Sequence, residues 1–262
     1  MSEQRHRPRK RFGQHFLHDR GVVQKIVDAV APQPQDHMVE IGPGGGALTR
    51  ALLERIPRLQ AIEIDRDLAA RLQEEFSSER LSVLCADALN FDFGALPQDS
   101  RIVGNLPYNI STPILFHLAR WANRLRDLHF MLQREVVDRM VAAHSTPAYG
   151  RLSVMLQTRF RMQRLFRVPA GAFTPPPKVE SAIVRLVPRA DNPLGKLDPR
   201  QFERLVAGAF SARRKTLRNS LSLGPADYEA LSLDPKLRAE NLSPEDYVRI
   251  AGRLSATEES GN

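Results

Sequence analysis

Short apolar runs alternate with segments of helical periodicity over the first 190 or so residues of the chain. Runs of this length predict buried strands, and the segments between them predict helices that pack on one face. The predicted strands span residues 38–41, 59–64, 81–85, 101–103 and 128–132. The predicted helices span residues 47–56, 68–76, 112–119 and 134–142. Strand–helix alternation of this kind predicts βαβ units and an α/β fold with a mostly parallel sheet.

The pattern changes in the second half of the chain. Residues 153–160 and 179–187 have no convincing helix between them, so we expect an antiparallel pair of strands at an edge of the sheet. Residues 188–199 are rich in proline, glycine, aspartate and asparagine, which indicates a linker. Helical periodicity then returns at residues 202–210, 215–221, 227–231 and 244–254. We therefore predict two domains, residues 1–190 with a basic N-terminal arm and residues 198–262 as a small all-helical domain.

The composition excludes several classes of protein. Of the 262 residues, 42% are hydrophobic and 26% are charged, a balance typical of folded globular proteins. Cys85 is the single cysteine, so an intrachain disulfide is impossible, a cysteine-based zinc site is nearly excluded, and we expect no metal. No apolar run approaches the ~18 residues needed to cross a bilayer, and no apolar core of a secretory signal follows the basic residues 1–11. We expect a cytoplasmic protein without a membrane partner.

The net charge of +8 predicts a polyanionic partner such as nucleic acid. The alternative is a merely solvated surface produced by compositional drift, but drift would scatter the charges more evenly than this sequence does. One cluster lies in the N-terminal arm, a second fills the acid-free stretch 151–167, and a third lies near residue 215. The residues that we expect to contact RNA are Arg9, Lys10, Arg11, Arg213, Arg214, Lys215 and Arg218.

A glycine turn follows the first predicted strand. Gly42, Gly44 and Ala47 have the G-x-G-x-x-A spacing, which lets a ligand approach the backbone closely and directs helix N–H groups toward it. Glu63 ends the next strand, where a carboxylate can accept hydrogen bonds from ribose hydroxyls. Asp87 follows the third strand and could accept a hydrogen bond from the amine of a bound adenine. The turn alone fits either a dinucleotide or S-adenosylmethionine.

The segment Asn105-Leu106-Pro107-Tyr108 follows another strand and carries the most specific chemistry. The lone pair of an adenine N6 amine is delocalised into the ring, so the amine is a poor nucleophile. Two acceptors, the Asn105 side-chain carbonyl and a backbone carbonyl near Leu106, can draw the nitrogen toward a tetrahedral geometry. Pro107 stiffens the turn, and Tyr108 can stack on the target base, which is worth ~1–3 kcal/mol per base. This interpretation predicts an adenine N6-methyltransferase.

Taken together, the motifs resemble those of the ribosomal RNA adenine dimethyltransferases, and the likeness extends over about residues 8–250. The motifs are residues 10–17 (KRFGQHFL), 40–44 (EIGPG), 62–65 (IEID), 87–88 (DA), 104–113 (GNLPYNISTP), 149–154 (YGRLSV), 173–179 (FTPPPKV), 213–219 (RRKTLRN) and 238–240 (RAE). The resemblance implies a Rossmann-like S-adenosylmethionine-dependent methyltransferase domain followed by a small helical domain. It also implies dimethylation of two adjacent adenosines in the 3′-terminal hairpin of 16S rRNA, on the 30S particle or its precursor, by a monomer.

By position in these motifs, the resemblance implies a set of site residues. The implied S-adenosylmethionine contacts are His15, Leu17, Gly42, Glu63, Asp87 and Asn105. Tyr108 and Phe173 would flank the target base, although an aromatic residue beside a proline run is often only packed in the core. The family usually has asparagine where this chain has His15. The difference is harmless if the residue contributes its backbone carbonyl, and it changes cofactor affinity if the family uses the side-chain amide.

Three other functions are weighed against this one. A nicotinamide-dependent oxidoreductase could use the glycine turn, but it leaves the segment 105–108 unexplained. A non-catalytic RNA-binding assembly factor could keep the fold, but Asn105, Pro107 and Tyr108 are intact. An adenine methyltransferase acting on 23S rRNA or DNA would need the same amine chemistry, and the C-terminal motifs favour 16S rRNA over these substrates.

Overall fold

The chain forms two compact units in the computed structural model, which describes residues 15–212 and 214–260. The first unit takes the residues up to Val137 together with Gln163–Pro188, and the second takes Asp138–Met162 together with the residues from Arg189 onward. The predicted domains, 1–190 and 198–262, stay a prediction. The units nevertheless differ from them in one respect, because residues 138–162 group with the C-terminal part of the chain.

A twisted sheet forms the centre of the first unit. Seven of the strands in the described residues make this sheet in the order β4-β3-β2-β5-β6-β9-β7, and β1 pairs with β8 in a separate two-stranded sheet. Strands β2 to β6 run parallel to one another, and β9 joins β6 in the antiparallel direction. The strands are β1 (Phe16–Leu17), β2 (Met38–Ile41), β3 (Leu59–Glu63), β4 (Leu81–Cys85), β5 (Ser100–Asn105), β6 (Leu125–Gln133), β7 (Phe160–Val168), β8 (Phe173–Thr174) and β9 (Ser181–Pro188).

Helices connect the strands of this sheet and cover it. They are α1 (Arg20–Val30), α2 (Ala47–Leu53), α3 (Arg66–Glu75), α4 (Ser111–Ala119) and α5 (Arg134–Met140). In α1 the buried residues are Val23, Ile26, Val27 and Val30, the i, i+3, i+4, i+7 spacing of a helix with one apolar face. Asp19 caps this helix by accepting a hydrogen bond from the Val22 N–H group. The α/β class and the parallel order predicted from the sequence are confirmed.

The segment predicted as a strand at 153–160 is mostly helical, and this prediction is wrong. Residues Arg151–Gln157 form α6, in which Leu152, Val154 and Leu156 are buried. A short apolar run fits a buried strand and a buried helix equally well, so periodicity cannot separate them. The separating signal is local, because the Ser153 hydroxyl accepts a hydrogen bond from the Gly150 N–H group at the start of the helix. The strand begins only at Phe160.

Helices make up the regular structure of the second unit apart from the first residues of β7. Besides α6 it contains α7 (Pro199–Ser211), α8 (Leu217–Ser220), α9 (Pro225–Leu231) and α10 (Pro244–Ser260), so the predicted all-helical C-terminal segment is confirmed. Its core includes the fully buried Tyr149, Phe202, Val206 and Tyr247. The Tyr247 hydroxyl donates to the carbonyl of Ala239, which satisfies its polar atom inside this core. None of the helices described here is both long and apolar enough to cross a bilayer.

A buried ion-pair network closes the amino end of the large sheet. Arg101, 4% exposed, donates from Nε and Nη2 to the two carboxylate oxygens of Asp127 at 2.8 and 2.9 Å. Its Nη1 donates to Asp36 at 2.6 Å, and Nη2 also donates to the backbone carbonyl of Val30. Bidentate pairs of this kind are the strong ones. They join α1, β5 and β6 at the end of the sheet away from the glycine turn.

Candidate active site

A cavity of about 1140 Å³, including its open mouth, lies at the carboxyl ends of the parallel strands of the first unit. In open α/β sheets, ligands bind in the crevice outside the carboxyl ends of the strands. Gly42, Glu63, Asp87 and Asn105 follow or end β2, β3, β4 and β5, and all four line the cavity. The structure therefore brings together residues that are far apart in the sequence. The other predicted site residues that line it are His15, Leu17, Leu106, Pro107 and Tyr108.

The glycine turn between β2 and α2 has a backbone that favours glycine. Gly42, Gly44 and Gly46 have φ values of 69°, 55° and 78°, in the left-handed region. The Gly42 N–H group donates to the carbonyl of Ile62, and the Gly44 N–H group donates to Glu63 Oε2 at 3.0 Å. The turn is thus tied to the end of β3, and it presents main chain to the cavity.

Glu63 is held in one orientation by main-chain donors. Its Oε2 accepts from Gly44 and its Oε1 accepts from the Asp65 N–H group at 2.9 Å. The carboxyl is 4% exposed, and burial raises its pKa although these two N–H groups act in the opposite direction. Each carboxylate oxygen has a second lone pair, so Glu63 can still accept two hydroxyl donors from a ligand. Asp87 is fixed similarly, with Oδ1 accepting from the Leu89 N–H group at 2.9 Å.

Glu40 lines the same cavity and was not predicted as a site residue. It lies in β2, is 1% exposed, and accepts a hydrogen bond from the Thr49 hydroxyl at 2.7 Å. Burial, followed by the Thr49 hydrogen bond in the opposite direction and the nearby Glu63 charge, sets its pKa at about 7. The signal that could have found it is an acid inside the apolar run of β2, where a charge has no structural reason to be.

The side-chain amide of Asn105 is oriented by the N-terminal segment. Its Nδ2 donates to the backbone carbonyl of His15 at 3.1 Å. Because the nitrogen is engaged in this way, Oδ1 is the amide atom available to a ligand in the cavity. The loop that follows is held to the sheet, since the Leu106 N–H group donates to the carbonyl of Met131. His15 therefore contributes a backbone carbonyl to this contact, which any residue type at position 15 can supply.

The Tyr108 ring is held from several directions. Its hydroxyl is 2.7 Å from the Ser181 hydroxyl, and its backbone carbonyl accepts from the Ser111 hydroxyl at 3.0 Å. The imidazole of His15 stacks with the ring, with centroids 5.6 Å apart and planes 29° apart. That imidazole also hydrogen-bonds through Nδ1 to the carbonyl of Pro175 at 2.7 Å. An aromatic face is thus presented at the cavity beside Asn105.

Phe173 is placed differently from the prediction. It is 2% exposed and packs in the hydrophobic core, because β8 pairs with β1 in a register that sets Phe173 opposite Leu17. Phe173 is not among the described residues that line the cavity. The predicted place of Phe173 beside a target base is therefore not supported, and the core-packing alternative is. Leu17, its partner, does line the cavity.

Gly104 is required by the approach of two strands. A Cβ atom at this position would lie 2.5 Å from the backbone carbonyl oxygen of Ile41 and 3.3 Å from the Leu106 side chain. Contacts below about 3 Å to backbone atoms cannot be relieved by a side-chain rotation. The small size of Gly104 therefore lets β5 lie against β2 just before Asn105.

The predicted RNA contacts are only partly within the described residues. Arg9, Lys10, Arg11 and Arg213 lie outside them. Three basic residues of the second unit are exposed at the start of α8, and we refer to them as the α8 basic cluster: Arg214, Lys215 and Arg218. This segment is fixed by main-chain bonds, since the Arg218 N–H group donates to the carbonyl of Pro235. The cluster is thus a set of cations on an ordered backbone.

Comparison with known proteins gives one family and near full-length relatives. The family described as "Ribosomal RNA adenine dimethylase" matches residues 5–256. "Ribosomal RNA small subunit methyltransferase A" of Thiobacillus denitrificans is 59% identical over 252 residues, which cover 95% of this chain and 99% of that protein. The protein of the same name from Aromatoleum aromaticum is 58% identical over 258 residues, which cover 98% and 97%.

Two solved structures are similar over the same extent. A dimethyladenosine transferase from Plasmodium falciparum has a TM-score of 0.81 at 24% identity and covers 93% of this chain and 98% of its own, a likeness of fold. The 23S rRNA methyltransferase ErmE has a TM-score of 0.70 at 27% identity and covers 92% and 99%. These likenesses extend beyond the central sheet into the helical part of the chain.

Proposed function

The chain belongs to the ribosomal RNA adenine dimethylase family, and from this membership we propose that it dimethylates the N6 amines of two adjacent adenosines in the 3′-terminal hairpin loop of 16S rRNA. It is an S-adenosylmethionine-dependent methyltransferase that acts on adenine in ribosomal RNA. The observation that carries the finer proposal is the Asn105 amide, whose nitrogen is held by the His15 carbonyl so that its oxygen is available at the cavity.

The cavity fits S-adenosylmethionine, which supplies an electrophilic methyl group when bound. The left-handed glycine turn presents main chain without side chains in the way. Glu63 offers an oriented carboxylate for ribose hydroxyls, and Asp87 offers one for an adenine amine. We assign the contacts to His15, Leu17, Gly42, Glu63, Asp87 and Asn105.

Asn105 and Leu106 act on the target amine. The Asn105 Oδ1 and the Leu106 backbone carbonyl each accept one N6 hydrogen, which localises the nitrogen lone pair and directs it for attack. No strong base is needed beforehand, because the methylated ammonium is acidic and gives its proton to water. The protein contributes alignment and placed dipoles rather than a nucleophile. Pro107 limits the movement of the loop, and Tyr108 offers its ring face to the base.

The α8 basic cluster and the N-terminal arm, with Arg9, Lys10, Arg11 and Arg213, hold the RNA in this proposal. Such residues neutralise phosphates and position the RNA without reading its sequence. The choice of 16S rRNA on the 30S particle or its precursor is supported by the name of the relatives, which specifies the small subunit. We expect the protein to act as a monomer in the cytoplasm during maturation of the small subunit.

The test compares 16S and 23S rRNA from cells that lack this protein and are complemented with wild type, Asn105→Ala or Asn123→Ala. Asn123 is an exposed asparagine outside the cavity and serves as the matched control. Mass spectrometry of digested RNA should show dimethyladenosine in 16S rRNA with wild type and with Asn123→Ala. With purified proteins, Asn105→Ala should lower turnover on 30S particles on the order of 10²–10³-fold, as removal of one preorganised group does.

Three results would contradict the proposal. Turnover of Asn105→Ala near the wild-type value would remove this residue from the mechanism. Dimethyladenosine that depends on the protein in 23S rRNA, but not in 16S rRNA, would assign the activity to the large subunit. A product that stops at one methyl group on each adenosine after long incubation would reject the second transfer.

A further inference from the structure

Ser181 is a fully buried residue that hydrogen-bonds a side chain of the proposed base pocket. It is the first residue of β9 and is 0% exposed. Its hydroxyl is 2.7 Å from the hydroxyl of Tyr108. Ser181 is paired with Gln133 of β6, and β9 lies between β6 and β7 in the sheet. The partner of the Tyr108 hydroxyl is therefore held in the sheet by its pairing with β6.

The opposite end of Tyr108 is held as well. Ser111, at the start of α4, donates its hydroxyl to the Tyr108 backbone carbonyl. Tyrosine has two side-chain torsions, so fixing the backbone and the hydroxyl restricts both of them. The ring plane is then set before a ligand arrives. The imidazole of His15 stacks on one face of the ring, and the target base is placed on the other face in this proposal. Stacking a base on a ring that is already ordered costs the protein less conformational entropy than stacking a base on a ring that must first be ordered.

We propose that Ser181 is a positioning residue for methyl transfer, which acts by fixing the Tyr108 ring against which the target adenine stacks. This inference rests on the proposed function, because it needs Tyr108 to contact the base. The simpler alternative is that Ser181 is a buried hydroxyl that merely requires a partner. The two differ in what the hydrogen bond does for catalysis, so a double-mutant cycle separates them.

The experiment measures kcat and KM on 30S particles for Ser181→Ala, Tyr108→Phe and the double variant. Each single variant removes the same hydrogen bond and keeps the Tyr108 ring. A hydrogen bond contributes ~0.5–1.5 kcal/mol, which corresponds to roughly a 2- to 12-fold decrease in kcat. We expect this decrease in both single variants, no further decrease in the double variant, and KM for 30S particles and affinity for S-adenosylmethionine within about twofold of wild type.

Ser100→Ala is the matched control. Ser100 is also 0% exposed, and its hydroxyl also makes hydrogen bonds, to Pro97 and His37, but it lies at the amino end of the sheet. The kcat of Ser100→Ala should equal that of wild type even if the variant is less stable. A decrease in the kcat of Ser100→Ala would show that the effect of Ser181→Ala comes from lost stability alone. If Ser181→Ala does not fold, Ser181→Thr keeps the hydroxyl and should retain wild-type kcat, and Tyr108→Phe still reports the hydrogen bond.

Four outcomes overturn the inference. Wild-type kcat in Tyr108→Phe shows that the hydrogen bond has no catalytic effect. Multiplicative losses in the double variant show that Ser181 acts independently of Tyr108. Wild-type kcat in a folded Ser181→Ala protein leaves the residue purely structural. Wild-type kcat in Tyr108→Ala would likewise remove the ring from the base pocket. The proposed function fails separately, if the wild-type protein transfers no methyl group to 30S particles.

Discussion

Replacement of Glu40 by glutamine should make the first unit more stable at neutral and alkaline pH. Glu40 is buried beneath the glycine turn, and burial raises its pKa from an ordinary 4.5 to about 7. The charges that face it are Glu63, which raises the pKa, and Arg50, which lowers it. In the unfolded chain the carboxyl ionises near pH 4.5, but in the folded protein it stays protonated to about pH 7. Rising pH therefore favours the unfolded state across this window.

The size of the effect follows from the shift. The pKa of Glu40 is 4.5 in the unfolded chain and about 7 in the folded protein, and each pKa unit corresponds to 1.36 kcal/mol. Ionisation of Glu40 therefore lowers the free energy of unfolding by about 3 kcal/mol. This stability is fully present below pH 4.5 and is lost as the pH rises through 7. Glutamine has nearly the same shape, and its Oε1 can still accept the hydrogen bond of Thr49. Glu40→Gln therefore does not lose this free energy of unfolding as the pH rises.

The assay is urea unfolding between pH 5 and pH 8, followed by the fluorescence of Trp121. This is the single tryptophan of the chain, and it lies in the first unit. The advantage of Glu40→Gln over wild type in the free energy of unfolding should be smallest near pH 5 and should grow to about 3 kcal/mol at pH 8. Glu79→Gln, at an exposed position, should not gain stability with pH. Parallel curves for wild type and Glu40→Gln over the whole range would refute this account of the buried carboxyl.

Three further predictions concern other parts of the molecule. Glu63→Gln should weaken S-adenosylmethionine and S-adenosylhomocysteine together, on the order of tenfold for one lost charged hydrogen bond, and leave 30S binding unchanged; unchanged cofactor affinity by calorimetry would remove Glu63 from the site. Arg101→Met should lower the free energy of unfolding by ~3–5 kcal/mol because it removes the bidentate partner of the buried Asp127 carboxylate, and a loss below ~1 kcal/mol in urea unfolding would contradict that. Neutralising the α8 basic cluster should weaken 30S binding and flatten its dependence on salt, since each phosphate contact releases counterions; an unchanged slope in a folded variant would assign these cations a structural role.

The features that the sequence predicts well are those set by local pattern. The carboxyl ends of parallel strands lie at one edge of a sheet, so polar residues at those ends are expected to lie close together. Glu63, Asp87 and Asn105 all line the cavity at this edge. The helix α1 also had a clear signal, the spacing of Val23, Ile26, Val27 and Val30, although it was absent from the predicted elements. Local pattern predicted the wrong element at α6, because a short apolar run fits a buried strand and a buried helix equally well.

Contacts between distant segments could not be predicted in the same way. The bond from Asn105 to the His15 carbonyl depends on where β1 runs, and the pairing of β1 with β8 has no signature in two-residue strands. The same pairing carries Phe173 into the core rather than to the cavity. The protonated state of Glu40 depends on complete burial, which only the packed structure reveals.

The bond between the Asn105 amide and residue 15 has a consequence for how the protein tolerates change. Because the acceptor is a main-chain oxygen, every side chain at position 15 supplies it equally, and the family's asparagine and this chain's histidine are interchangeable for that contact. The same oxygen is lost if the chain is cut after residue 15, whatever its sequence. The orientation of the proposed catalytic amide thus tolerates substitution at position 15 but not loss of that residue. A truncation that removes residue 15 should therefore lower methyl transfer while leaving the buried ion pairs of Arg101 in place.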